Sequence, residues 1–179
     1  MYFRLDVMKV FLSVMVCCLL GLAACTVEKP GNYIGENYIQ FYYGSPVTFD
    51  MVTMPVKPLS GLNANRLQDT AYFRVQVIGQ PSDAPRKVRF EQYVDERDVA
   101  DQAVAGVNYV SFDDPSILKL MVIPGDSAYF NIPVVMLYDK AIAGMNKACV
   151  LRFRIVDSED LILGQAFLSK GLLTFSQKK

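Results

Sequence analysis

Apolar side chains recur at every second position in five separate stretches: Phe73, Val75 and Val77; Val88 and Phe90; Leu118, Leu120 and Val122; Phe130, Ile132, Val134 and Met136; and Leu151, Phe153 and Ile155. Polar residues such as Arg74, Gln76, Arg89 and Glu91 stand between them. A two-residue period sends neighbouring side chains to opposite faces of a sheet, so each stretch reads as a half-buried strand. Aromatic and β-branched runs over 38–43, 161–163 and 172–175 bring the count to about eight strands. No segment carries an amphipathic helical period over about ten residues. Short strands separated by turns, with no helices to cover a parallel sheet, predict an all-β chain folded as a single antiparallel β-sandwich.

Turn chemistry refines that expectation. Ile123-Pro124-Gly125-Asp126 offers a proline to preset φ at the second turn position and a glycine to accept positive φ at the third. This predicts an antiparallel hairpin joining the flanking strands. Gly106 is likewise placed at a bend or a positive φ. Pro133 cannot donate to a ladder, which puts its strand at a sheet edge or on a bulge. The least regular part, 46–69, holds Pro46, Pro55, Pro58 and the cluster Ser60-Gly61-Leu62-Asn63-Ala64-Asn65. It reads as a long variable loop with room for one short strand at 47–52.

Ahead of the strands lies an apolar run, 10–22, ending in Leu22-Ala23-Ala24-Cys25. The run is too short for a membrane span, which needs roughly 20 residues. It has the length of a signal core, with Arg4 and Lys9 on its basic flank. Asp6 is foreign to such a flank and points to Met8 as the true start. Leu22, Ala23, Ala24 and Cys25 form a bacterial lipobox, in which the small residues fit the signal peptidase and the Cys25 thiol takes the lipid. Each buried methylene contributes about 0.8 kcal/mol, so two or three acyl chains on Cys25 hold a protein on a membrane durably. The predicted organisation is a signal peptide over 1–24, a tether over 25–36 containing Pro30-Gly31-Asn32, and the sandwich over 37–179. Lipidation at Cys25 predicts the cell envelope and the outer membrane. A lone Glu28 near the cysteine does not choose between the periplasmic face and the cell surface.

The remaining composition excludes more than it assigns. Loss of Arg4, Lys9 and Asp6 with the signal turns 18 basic and 18 acidic residues into 16 and 17, a nearly neutral chain with no basic stripe for nucleic acid. Cys17 and Cys18 leave with the signal and Cys25 carries lipid, so Cys149 has no disulfide partner. Between Ala148 and Val150 it reads as a small buried hydrophobe. The chain has no histidine. That removes the usual general base, the Ser-His-Asp and Cys-His devices, and any imidazole zinc site. A pair of carboxylates could still serve a glycosidase, but every acidic chain offers such pairs.

Ala103-Val104-Ala105-Gly106-Val107-Asn108-Tyr109, then Val122-Ile123-Pro124-Gly125, then Tyr129-Phe130-Asn131-Ile132-Pro133-Val134 resembles the pattern of Calx-beta-type, Ig-like sandwiches. There a Gly-x-Asp-Tyr segment precedes a hairpin turning at Pro-Gly. With the lipobox and the stretch 78–86, the chain is similar to a family of uncharacterised Bacteroidales lipoproteins encoded beside starch-utilisation-type transporter systems. Longer relatives continue beyond the position of Lys179. The resemblance implies a calcium question, since many Calx-beta domains bind calcium through acidic clusters. The candidate acids are Asp95, Glu96, Asp98 and Asp101; Asp113 and Asp114; and Asp157, Glu159 and Asp160. Calcium takes six to eight oxygens from converging loops. This chain has Asn108 in place of the motif aspartate and Leu137-Tyr138-Asp139-Lys140 in place of consecutive aspartates after the hairpin, so these acids read as solvated turn residues and no metal or cofactor is assigned.

Tyr33, Tyr38, Tyr42 and Tyr43 could present stacking rings to a sugar, but aromatic alternation more often marks a core, and the structural reading is preferred. The expected function is a non-catalytic, lipid-anchored accessory or binding component of an outer-membrane nutrient-acquisition system. Its partners would be a glycan, a peptide or the transporter complex itself. The alternative is an adhesion or fimbria-like subunit; a carboxylate-based hydrolase is more remote.

Overall fold

The computed structural model describes residues 35–42, 61–145 and 147–178. The signal, the lipobox residues Leu22, Ala23, Ala24 and Cys25, and the expected strand at 47–52 lie outside the described residues.

The chain is an all-β sandwich. Nine strands occur among the described residues: β1 (Tyr38–Phe41), β2 (Gln68–Ile78), β3 (Arg86–Lys87), β4 (Arg89–Gln92), β5 (Val122–Ile123), β6 (Tyr129–Leu137), β7 (Ala148–Val156), β8 (Ile162–Leu163) and β9 (Lys170–Ser176). They form a four-stranded sheet of order β6-β2-β1-β8, a three-stranded sheet β4-β7-β9 and the pair β3-β5. Strand pairing is antiparallel except between β1 and β8, which run parallel. Pro133 lies on β6, an edge strand, where its missing N–H costs no ladder bond.

The two larger sheets meet across an aromatic core. Phe73, Val75 and Val77 of β2, Ile132, Val134 and Met136 of β6, and Leu151, Phe153 and Ile155 of β7 are all buried, as the alternation requires. Phe153 is the hub of this layer. It meets Phe73 edge-on at 4.8 Å, Phe90 at 5.2 Å, Phe112 at 5.5 Å and Phe41 at 5.9 Å. Those rings come from β1, β2, β4, β7 and a loop, so one cluster ties both sheets together. Edge-on and tilted ring pairs add about 0.5–1.5 kcal/mol each beyond the apolar area they bury. Gly171 stands opposite Phe153 in the β7-β9 register, and a Cβ there would lie 2.6 Å from the ring.

Three sequence expectations are corrected. Leu118, Leu120 and Val122 do not share a strand face: Pro115–Leu118 is a single helical turn, α1, and Leu118 and Leu120 are exposed. Asp114 caps it, accepting from the Ser116 N–H at 2.8 Å, and Pro115 supplies a preset φ at the start. The buried residues are Ile117 and Met121, four apart, the helical spacing rather than the strand one. Next, residues 123–126 do not close a hairpin between adjacent strands, because β5 pairs with β3 while β6 pairs with β2. Finally, positive φ falls on Asp126 at 61°, not on Gly125. Gly125 is needed for close approach instead: a Cβ there would lie 2.4 Å from the Asp83 carbonyl oxygen. Gly106 does adopt a positive φ, 77°.

The strand expected around Val88 and Phe90 is also divided. Val88 donates to the Met121 carbonyl, extending the β3-β5 pair, and one residue later Arg89 is opposite Val156 in the other sheet. Val88 and Phe90 are nonetheless buried as anticipated. Among the described residues no helix is long and apolar enough to cross a membrane.

Candidate functional site

Alternation also decides what the four-stranded sheet shows on its outer face. With Ile39 and Phe41 inward on β1, Tyr38 and Gln40 point outward, and Tyr42 follows the same phase. On β2 the outward set is Tyr72, Arg74 and Gln76; on β6 it begins with Tyr129 and Asn131. Register brings these together. Gln76 pairs with Gln40 on one side and Tyr129 on the other, Arg74 stands opposite Asn131, and the Tyr42 N–H donates to the Arg74 carbonyl at 2.8 Å.

At the centre the Arg74 guanidinium lies 4.8 Å from the centroids of both the Tyr42 and Tyr129 rings. The two rings meet each other edge-on, 4.8 Å apart at 71°. Gln76 Nε2 donates to the Tyr129 hydroxyl at 3.3 Å. Two cation–π contacts and a hydrogen bond thus hold an exposed arginine and two rings in one arrangement, each contact contributing about 0.5–1 kcal/mol at such a site. Tyr72 is 57% exposed and Tyr129 41% exposed. The core is supplied by the other face of this sheet, so these rings are not part of it. An ordered aromatic face with amide side chains between the rings suits a flat ligand that has both apolar C–H faces and hydroxyls.

This corrects the preference for a core role at Tyr38 and Tyr42, which lie on the outer face. Tyr33 and Tyr43 lie outside the described residues. The signal was present: in Tyr38-Ile39-Gln40-Phe41-Tyr42 the aliphatic and phenyl side chains fix the inward phase, leaving the phenols outside. Tyr72, Arg74 and Tyr129 were missed as members of the face because their neighbours across the sheet are set by pairing and not by sequence distance.

The candidate calcium acids whose side chains are described are not brought together. Asp101 pairs with Lys147 at 3.6 Å, Asp95 with Arg152 at 3.8 Å, and Glu159 with Lys87 at 2.8 Å. Asp160 accepts the Lys87 N–H, Asp157 accepts the Leu163 N–H, and Asp114 caps α1. The two bonds from Ser116 hold the Asp114 carboxyl below its ordinary range, and the hydrogen bond with Glu159 raises Lys87. Among the described residues no group of three or more acidic or cysteine side chains is placed to hold a metal ion. Asn108 and Asp139, the two departures from the calcium pattern, are in contact: Asn108 Nδ2 donates to Asp139 Oδ2 at 3.2 Å. Cys149 is buried on β7, and that burial pushes its thiol up to about 11, far from the thiolate needed for chemistry at neutral pH.

No family model matches the chain, and no curated protein matches it. Among solved structures it is similar to a two-domain protein of unknown function from Bacteroides fragilis NCTC 9343, at 12% identity and a TM-score of 0.46. The match covers 79% of this chain and 46% of that protein, so the chain spans less than half of the length of its structural neighbour.

Proposed function

We propose that this chain is a non-catalytic, lipid-anchored envelope protein that binds a glycan on the outer face of its four-stranded sheet. The observation that carries the reading is the Tyr42–Arg74–Tyr129 cluster, fixed by cation–π contacts and flanked by exposed Tyr72 and by Gln40, Gln76 and Asn131. Pyranose rings present C–H faces that pack on phenol rings, while their hydroxyls exchange hydrogen bonds with amides and guanidinium. The lipobox ending at Cys25 supports anchorage in the outer membrane, and with it a role as an accessory component of a nutrient-acquisition system. The test is an oligosaccharide array probed with the parent protein and with Tyr72→Ala and Tyr129→Ala. Binding should fall at least tenfold in the variants while their melting curves stay near the parent's. An array with no bound glycan, or binding indifferent to both tyrosines, overturns the reading. Anchorage is tested separately: Cys25→Ser should release the protein from the membrane fraction, and a variant that stays there and still takes up palmitate removes the lipoprotein assignment.

A second reading, a fimbria-like subunit assembling by strand exchange, draws on the position of β1. This strand sits between β2 and β8, with Ile39 and Phe41 buried, so its removal would open a groove inside the sheet. Limited proteolysis before β2 followed by sizing distinguishes the two: ordered oligomers favour strand exchange, whereas aggregation or unfolding favours the binding protein.

A further inference from the structure

Arg74 is the one charged residue on the outward phase of β1, β2 and β6 among the described residues; tyrosine, amide, threonine, proline and aliphatic side chains hold the other outward positions. Two other exposed arginines, Arg66 and Arg154, each pair with a carboxylate, Asp69 and Glu91. Arg74 has no carboxylate within ion-pair distance among the described residues, and its guanidinium makes no hydrogen bond to them. What holds it are the faces of Tyr42 and Tyr129, each 4.8 Å away. A ring face attracts the charge but offers no acceptor to the N–H groups that lie in the guanidinium plane. The cation is therefore fixed in position with its donors uncommitted. A side chain already fixed loses little freedom on binding, and its hydrogen bonds to an anion are stronger than those to a neutral hydroxyl.

We infer that the glycan taken up by this face is an acidic one, with an anionic group of the sugar, carboxylate or sulfate, on the Arg74 guanidinium. The inference rests on the reading of the face as a glycan site and adds the charge class of the ligand. Charge complementarity carries it: one cation with no acid on the same face attracts an anion, and nothing beside it repels one. The position directly opposite Arg74 on β6 is Asn131, an amide of the same size as an aspartate that would have neutralised the guanidinium. The guanidinium fork presents two N–H groups side by side, which suits the paired oxygens of either anion. Tyr72 and Tyr129, both exposed, remain to carry the C–H face of the ring. Arg74 thus selects the acidic sugar and the tyrosines supply the stacking.

The test titrates matched pairs into the parent protein: an oligogalacturonate beside its methyl ester, and a sulfated galactan oligosaccharide beside its desulfated form. The acidic member of at least one pair should bind about tenfold more tightly than its neutral partner, and the advantage should shrink as salt rises. Preference confined to the first pair identifies a carboxylate, and preference confined to the second a sulfate. Arg74→Met, similar in length and uncharged, should erase the preference. Asn131→Asp keeps Arg74 and sets a carboxylate opposite it; this variant should erase the preference too, in a protein that melts like the parent, so disturbed ring packing in Arg74→Met leaves the inference testable. Equal affinity within both pairs, lost in Tyr72→Ala, would falsify the inference and keep the glycan site. An acidic preference that survives in either variant overturns the inference by placing the anion elsewhere. Binding of none of the four oligosaccharides overturns the inference and the glycan reading together.

Discussion

The amide of Asn108 donates to the Asp139 carboxylate at 3.2 Å, and its own oxygen accepts the Val104 N–H at 2.9 Å. The side chain is buried and needs a donor on one side and an acceptor on the other, which an amide supplies and a carboxylate does not. Asp139 Oδ1 is already taken by the Ala141 N–H. Asn108→Asp should therefore set two carboxylates against each other and cost about 1–3 kcal/mol at neutral pH. One of the pair would have a raised folded pKa, so the penalty should be present above the carboxylate range and shrink as pH falls towards about 4. Urea midpoints of parent and variant at neutral and mildly acidic pH check both parts; equal stability at neutral pH would show that the amide is not required.

Residues 124–127 give a second comparison. A Cβ on Gly125 meets the Asp83 backbone, at 2.4 Å from its oxygen and 2.7 Å from its carbon, and backbone cannot swing aside as a side chain would. Gly125→Ala should cost about 1–3 kcal/mol. Asp126, by contrast, is the residue with φ of 61°, so Asp126→Gly should range from neutral to stabilising by up to about 1 kcal/mol. Chemical denaturation of the two variants reads the order directly. The reverse order would show that neither the close approach at Gly125 nor the positive φ at Asp126 governs the stability of this turn.

Phe153 and Gly171 form a third. The ring occupies the space a Cβ at 171 would need, and it is also the hub of the phenylalanine cluster. Phe153→Ala should lose about 3–5 kcal/mol and Gly171→Ala about 1–3 kcal/mol. In the background of Phe153→Leu, Gly171→Ala should cost less than in the parent, since a shorter side chain vacates the contested space. Additive losses in a double-mutant cycle would show that the two residues do not compete for it.

Much of the sandwich was legible because half-buried strands print their phase into the chain. The inward sets on β2, β6 and β7 follow directly from Phe73, Ile132 and Leu151 and the residues two positions on. One helical turn is too short to print a period, which is why Ile117 and Met121 were overshadowed by the accidental alternation of Leu118, Leu120 and Val122. Pairing is a tertiary property. Nothing local says that β5 joins β3, that β8 runs parallel to β1, or that Tyr129 stands beside Gln76. Burial of Arg86 left no trace either, because in the polar stretch 79–87 the adjacent cations Arg86 and Lys87 both read as solvated. The candidate face was half legible: the phase of Tyr38 and Tyr42 could be read, but their company could not.

Alkaline pH offers the last prediction. Burial raises the Cys149 thiol from its ordinary 9.0 to about 11, and burial together with the Asp113 charge raises the Tyr109 hydroxyl from 10.0 to about 12. Both groups are nearly inaccessible, and Tyr109 donates to Gln92 Oε1 at 2.8 Å, a bond only the neutral phenol makes. In each case the unfolded chain releases its proton at lower pH than the folded one. Their contributions are therefore complete below about pH 9 and are lost as pH rises through about 11 for Cys149 and about 12 for Tyr109. Each group is expected to withdraw on the order of 2–3 kcal/mol across its window. Folding stability measured by urea should fall across this range, and less steeply in Cys149→Ala than in the parent. Native Cys149 should also resist alkylation at neutral pH and react only on unfolding. A native thiol that alkylates readily, or a stability profile flat up to about pH 12, would contradict the burial of these two side chains.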